Sequence, residues 1–331
     1  MEYKSFVPIR KNLFAAFLFV LLLIPEVVFA LNGLEKQLNY KISFQTDLPA
    51  SYFNLGNTAF ISGDYEQAVE NYTIAIRYKP DFAEAYYWRG KAFVYLKRYP
   101  QAIYDYNQAI NIDPTFSDAY YQRGLIYTIT KNYPQAINDY SKAIELNPTN
   151  PSYYYSRGNA YISSKNYNMA INDLSLAINL KPGFDKAYLS RGVAYGLLGE
   201  YNKAIIDYTS AIYLNPYAAN SYYNRGLSYY SLQNYNQAID DFTYAILLKP
   251  DYALAYLGRG VVYSAMGNYN AALSDFTNAI LLDSSNALAY YNRGVAYSNI
   301  GNRNDASKDF DKACDLNNNL CTLEQALIRL N

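Results

Sequence analysis

Seven arginines, Arg89, Arg123, Arg157, Arg191, Arg225, Arg259 and Arg293, each precede a glycine, and an aspartate follows each at one constant separation: Asp105, Asp139, Asp173, Asp207, Asp241, Asp275 and Asp309. Guanidinium and carboxylate groups held at a fixed spacing can form bidentate ion pairs, whereas a recurring Arg-Gly could instead meet nucleic-acid phosphates. The matched aspartates favour structural pairing. Cys314 and Cys321 are the only cysteines. In an exported chain they could be a disulfide, and otherwise two small buried thiols. Catalysis by either thiol is not expected, because the chain contains no histidine to activate it. The same absence leaves no set of metal ligands, so neither a metal nor a cofactor is expected. Asp240 and Asp241 are neighbours on one helix and cannot face each other as an acid–base pair. Gly258-Arg259-Gly260 follows no strand, so it is not a phosphate-cradling loop. The chemistry on offer is pairing and packing, and a reaction or a small-molecule substrate is not expected.

What positions these residues is a period. Eight copies of one 34-residue unit run without insertion over 49–82, 83–116, 117–150, 151–184, 185–218, 219–252, 253–286 and 287–320. The fourth slot of every copy is tyrosine (Tyr52 to Tyr290), the eighth glycine (Gly56 to Gly294), and the twentieth and twenty-seventh alanine (Ala68 to Ala306, Ala75 to Ala313). Slots four, eight and eleven share one face of a 3.6-period helix, and so do seventeen, twenty, twenty-four and twenty-seven. A polar turn such as Thr130-Lys131-Asn132 separates the two stripes, and proline at slot thirty-two ends six copies, from Pro80 to Pro250. Each copy therefore reads as a helical hairpin. Facing slots add to a constant twenty-eight, which sets glycine at slot eight against alanine at slot twenty and lets the two backbones approach. Arginine at slot seven and aspartate at slot twenty-three lie about 3 Å from that register along the axis, within reach of an arginine side chain. The first copy departs at both slots together, with Leu55 and Asn71. Most of the 41 tyrosines fall on slots four, eleven, seventeen and twenty-four and are expected in the core.

The series aromatic, Gly, Tyr, Ala, aromatic, Ala, Pro resembles the tetratricopeptide repeat family over residues 49–320. The family's tryptophan at slot four is tyrosine throughout, and its leucine at slot seven survives only as Leu55. The resemblance implies an all-α, right-handed superhelical solenoid of stacked hairpins, with first helices lining a concave groove and second helices outside. It also implies that slots two, five, nine, twelve and thirteen face the groove. Those slots carry Phe53, Tyr87, Tyr121, Tyr155, Tyr223 and Tyr291, together with Asn57, Lys91, Leu125, Asn159 and Leu227. Rings with interspersed amides suit an extended or helical peptide. The other reading is that the slot-five rings only stack on neighbouring hairpins. A clamp for a chaperone's C-terminal carboxylate, a known use of this fold, is not expected. Slot five carries no lysine, and Asn57 and Asn159 stand in separate copies.

The flanks bear on location. Residues 1–30 hold Lys4, Arg10 and Lys11, an apolar run from Leu13 to Ile24, a break at Pro25-Glu26, and Val28-Phe29-Ala30. This is the form of a secretory signal peptide cleaved after Ala30. The rival is an uncleaved membrane anchor from Leu13 to Leu31, which exports the repeats equally. Residues 31–48 read as a linker. Within 321–331, Thr322-Leu323-Glu324-Gln325 has the form of a capping box, and Leu323, Ala326, Leu327 and Leu330 mark a short helix that would cover the last repeat. With 28 basic and 28 acidic side chains, nucleic acid and anionic membrane surfaces are not expected partners. The expectation is an exported, non-catalytic scaffold that binds a protein or peptide in its groove. The alternative is an accessory subunit that assembles an envelope or secretion complex through its outer face or ends.

Overall fold

A computed structural model describes residues 47–321 together with Gly33 and Lys36. The signal-peptide or anchor segment, most of the linker and the 322–331 cap lie outside the described residues. Helix A of the first repeat covers 47–61, and its helix B is Tyr65–Tyr78. The pairs that follow are Ala83–Tyr95 with Tyr99–Ile112, Ser117–Ile129 with Tyr133–Leu146, and Pro151–Ser163 with Tyr167–Leu180. Then come Asp185–Leu197 with Tyr201–Leu214, Ala219–Ser231 with Tyr235–Leu248, Ala253–Ala265 with Tyr269–Leu282, and Ala287–Asn299 with Arg303–Leu316. The described residues contain no strand, and none of their helices is long and apolar enough to cross a membrane. The fold is an all-α solenoid of tandem helical hairpins.

Each helix A closes the same way. The residue at slot fifteen is left-handed in all eight copies, for example Gly63 (φ 84°), Lys97 (φ 58°) and Gly301 (φ 83°). The next N–H then reaches back to the slot-eleven carbonyl, as Asp64 does to Ala59 at 2.9 Å and Asn132 to Tyr127 at 2.7 Å. These bonds satisfy carbonyls that the helix end leaves open. The array forms two compact units, Met1–Arg123 and Gly124–Asn331. In the second unit helix A of one repeat also touches helix A of the next, and no helix B approaches its successor as closely. Helices A therefore line its inner side.

The core is built from the invariant slots. The alanines of slots twenty and twenty-seven are buried in every repeat, and so are the side chains of slot twenty-four, Tyr72, Tyr106, Tyr140, Leu174, Tyr208, Phe242, Phe276 and Phe310. Glycine at slot eight is needed chiefly because the slot-twenty-four side chain lies across it. A Cβ on Gly192 would sit 2.6 Å from the Tyr208 ring, and one on Gly260 2.7 Å from Phe276. The alanine backbone opposite is the second obstacle, with Ala170 O at 3.4 Å from a Cβ on Gly158. The tyrosines of slots four, eleven and seventeen are half-buried, in contrast to the expectation that most belong to the core. Those of slots four and eleven have another task.

They flank the slot-seven guanidinium. Arg259 lies 5.8 Å from the Tyr256 ring and 6.0 Å from Tyr263, and Arg293 is placed likewise against Tyr290 and Tyr297 at 5.7 and 6.0 Å. Six Arg–Asp pairs are bidentate. In one, Arg191 donates from Nε to Asp207 Oδ2 at 2.8 Å and from Nη2 to Oδ1 at 2.7 Å. Arg89–Asp105, Arg157–Asp173, Arg225–Asp241, Arg259–Asp275 and Arg293–Asp309 repeat the arrangement. Arg123 and Asp139 stand on opposite sides of the unit boundary, and Asp139 is buried. In the six pairs the arginine side chains are 14–20% exposed and the aspartates 1–8%.

The remaining guanidinium nitrogen makes a link that the repeat pattern alone did not suggest. Arg191 Nη1 donates to Ser175 Oγ of the preceding repeat at 2.9 Å, and Arg89 to Thr73, Arg157 to Ser141, Arg225 to Thr209, Arg259 to Thr243 and Arg293 to Thr277 in the same way. Arg123 finds Asn107. All these partners occupy slot twenty-five. Each of the six bidentate arginines thus locks its own hairpin to the one before it.

Two predictions follow from this packing. Asp207→Ala strands a mostly buried guanidinium and should cost about 3 kcal/mol, while the double change Asp207→Leu with Arg191→Met should cost much less. Thermal or urea melts of the single and double variants that show equal losses would refute this coupling. The Tyr106 hydroxyl is buried without a partner, whereas Tyr140 Oη lies 2.9 Å from Thr128 Oγ1. Tyr106→Phe should therefore be neutral or stabilising by about 1 kcal/mol, and Tyr140→Phe destabilising by a similar amount, in the same melts.

Candidate peptide-binding groove

In the first unit the groove slots are largely claimed by packing. The Phe53 ring sits between Phe82 at 4.9 Å and Tyr72 at 5.6 Å, and Tyr87 between Phe116 at 4.8 Å and Tyr106 at 5.9 Å. Tyr87 is buried and offers a ligand little surface. Asn57 Oδ1 accepts the Tyr72 hydroxyl at 2.8 Å, so its carbonyl serves the core. Tyr121 is half-buried. Lys91 is held differently: its ammonium lies 4.0 Å from the Trp88 ring, with Phe60 at 5.5 Å and Tyr87 at 5.6 Å. Burial lowers its pKa, and the charge of Asp118 opposes part of that shift.

In the second unit the slot-five rings are again pinned from below and beside. Tyr155 lies 4.9 Å from Phe184, Tyr223 5.1 Å from Tyr252 and 5.8 Å from Phe242, and Tyr291 5.6 Å from Phe310. Leu125 is half-buried and Leu227 exposed. Both readings of the slot-five rings thus share the structure: Tyr155, Tyr223 and Tyr291 stack within the array and stay half-buried. Leu189 and Leu257 are the two positions of this slot that bring no ring.

Around Leu189 the groove deepens into a hollow of about 390 Å³, in the size range of ligand pockets. Its apolar walls are Ile162, Leu189, Val193, Tyr223 and Tyr252, and its polar rim is Asn159, Ser190, Asn220 and Asn224. Slots two, five, six, nine and twelve of three successive repeats supply all of these except Tyr252. No charged side chain lines it. Burial pushes the Tyr252 phenol up to about 12 and also raises Tyr223, so both remain neutral hydroxyls near neutral pH. Asn159 anchors its amide nitrogen on the Tyr155 carbonyl at 3.0 Å, and Asn224 on that of Asn220 at 2.7 Å. Their side-chain carbonyls have no partner within the described residues and can accept from a ligand's peptide N–H. Sequence reasoning placed Tyr223, Asn159, Leu189, Val193 and Ile162 on groove slots but saw no hollow at Leu189 and passed over Asn220 and Asn224. The run of slot-five rings breaks at Leu189 and at Leu257, and the break at Leu189 was the available signal.

Cys314 and Cys321 form a disulfide joining helix B of the last repeat to the turn that follows it. Among the described residues no cluster of His, Cys, Asp or Glu could hold a metal ion.

Family models described as TPR repeat match residues 56–97, 90–128, 124–163, 158–199 and 263–301, and models described as tetratricopeptide repeat match 185–217, 219–252 and 287–320. No curated protein matches the sequence. Among solved structures, a tetratricopeptide repeat protein from Parabacteroides merdae is similar at 19% identity, covering 76% of this chain and 99% of its own, with a TM-score of 0.58. The Cut9–Hcn1 complex of the APC/C is similar at 18% identity, 80% and 52% coverage, and a TM-score of 0.57. YrrB, described as a TPR protein with an unusual peptide-binding site, reaches 24% identity, 57% and 97% coverage, and a TM-score of 0.51. At these identities the likeness shows the fold.

Trp88 is the only tryptophan, which makes the Lys91 contact measurable. Its emission should change as the pH rises through the titration of Lys91, with a midpoint below the ordinary lysine value of about 10.5. The transition should be absent in Lys91→Met. An identical pH profile in wild type and variant would exclude the contact.

Proposed function

The chain belongs to the tetratricopeptide repeat family, and on that premise we propose that it is a non-catalytic scaffold that grips a segment of another protein along the inner face of repeats four to six. The observation that carries this reading is the neutral hollow at Leu189, where apolar walls lie beside amide groups with open acceptors. An extended segment could bury one side chain in the hollow while its backbone N–H groups meet Asn159 and Asn224, dividing affinity and orientation between the two. The peptide-binding site named for YrrB lends this use of the fold a precedent.

We further propose that the scaffold works outside the cytoplasm. A disulfide persists in oxidising compartments, and the Cys314–Cys321 bond supports such a location alongside the signal-like start of the sequence. Cleavage after Ala30 or retention as an anchor would serve it equally.

A second reading has its own observation. On helices B of repeats five to seven, slot twenty-nine carries Tyr213, Leu247 and Leu281, which are 85%, 71% and 77% exposed. Earlier copies place Arg77, Asn111, Glu145 and Asn179 there. An apolar row on the outer face fits assembly into a larger complex.

The two readings part in one experiment. A photocrosslinking benzoylphenylalanine at Asn224 should trap partner chains in the exported fraction, and one at Leu247 should not. Crosslinks from Leu247 alone would transfer the function to the outer face.

A further inference from the structure

The array treats slots five and thirty-four as a pair. Where both are aromatic the rings meet at nearly constant separation: Phe53–Phe82 at 4.9 Å, Tyr155–Phe184 at 4.9 Å and Tyr223–Tyr252 at 5.1 Å. In repeat five the two slots are Leu189 and Ala218. Both rings are missing: the hollow opens beside Leu189, and Ala218 lines a separate recess that shares Leu189 and Asn220 with it. Repeat seven also lacks both rings, with Leu257 and Asn286, but there Leu257 packs into the core around Phe276 and Ile280 and the Asn286 side chain caps the next helix. Ala218 does neither, since its helix carries no side-chain cap.

We propose that the hollow at Leu189 is a socket for one aromatic side chain of the bound segment, a tyrosine or phenylalanine, which supplies the rung the repeat has given up. This rests on the groove reading above and deepens it. Three features select an aromatic guest. Tyr223 and Tyr252 present an existing ring pair at the socket's edge, against which a third ring can take a tilted or offset contact. Ile162 and Val193 supply flat apolar walls, which favour a ring's broad face. The absence of charge from the lining leaves nothing to balance a buried lysine, arginine or carboxylate, which excludes those guests. A tyrosine hydroxyl would still find an acceptor among the rim amides.

The test uses the full exported chain and three blocked pentapeptides, acetyl-Ala-Ala-X-Ala-Ala-amide with X as Tyr, Leu or Ala, followed by ligand-observed NMR titration. The Tyr peptide should bind about two- to tenfold more tightly than the Leu peptide, and the Ala peptide least. Leu189→Tyr restores the residue that five other repeats carry at slot five, so the fold is preserved, and the variant's own ring fills the socket. Binding of the Tyr peptide should fall by about tenfold or more, comparable to the loss of a buried aromatic anchor. Val193→Phe places a ring on the hollow's own wall and should act in the same direction, providing a second variant should the first fold poorly. Equal binding of the three peptides, no binding of any, or undiminished binding of the Tyr peptide to both folded variants overturns the socket. If crosslinks from Asn224 persist in that case, the groove reading stands and only the socket falls. If they are absent as well, both fall.

Discussion

Everything in this array hangs on the slot-seven guanidinium. At Arg191 it donates twice to Asp207 of its own hairpin and once to Ser175 of the hairpin before it, beside the Tyr188 ring. A planar fork can satisfy all of these at once, and a lysine could not. The pair is a device for register more than a source of net stability. At Asp105 burial outweighs the guanidinium and holds the carboxyl above its usual range, and Asp241 is shifted the same way. Desolvation of that size consumes much of the attraction. What drives folding is the apolar burial of alanines and slot-twenty-four side chains, and what the arginine adds is intolerance of a slipped hairpin. Because each copy leans on its neighbour, the same choice made in every copy fixes a whole unit.

The same geometry restricts where recognition can occur. The slot-twenty-four ring lies over glycine and beneath the slot-five ring, and the slot-thirty-four ring closes the side. A slot-five tyrosine therefore cannot leave its place to greet a ligand without opening the core. Its exposed edge can contribute contact, but the surface is shallow wherever the ring is present. At Leu189 the ring is absent and the groove is deep, whereas Leu257, which also lacks the ring, packs against the core around Phe276.

The hairpins and their tandem order were legible in the sequence because period, glycine and proline all act locally and recur. The Arg/Asp correspondence was legible for the same reason, helped by the joint departure of Leu55 and Asn71. The inter-repeat link was not, because slot twenty-five needs only an acceptor and so varies among Thr, Asn and Ser without a visible rule. The left-handed turn at slot fifteen was masked likewise. Glycine signals it in four copies, while Lys97, Lys131, Lys165 and Gln233 adopt it under tertiary constraint. Counting tyrosines by slot overstated the core, since a ring that flanks a guanidinium has the same helical spacing as one that is buried. The hollow depends on residues of three successive repeats, Asn159 and Ile162, Leu189 and Val193, and Tyr223 and Asn224. No single-slot reading joins them.

The terminal copies show what the lattice requires by how they do without it. Each arginine reaches backward, so the first copy has no slot-twenty-five acceptor behind it. An arginine there would hold one donor unmatched beside a buried aspartate. Leucine and asparagine replace both, and Leu55 is 53% exposed. At the other end slot twenty-five is the exposed Asp311 instead of a hydroxyl or amide. There the Cys314–Cys321 bond ties helix B to the following turn. A covalent tie across so short a loop restrains the unfolded chain only modestly. Its effect is local, holding the end of helix B against the Asn318–Leu320 turn that follows.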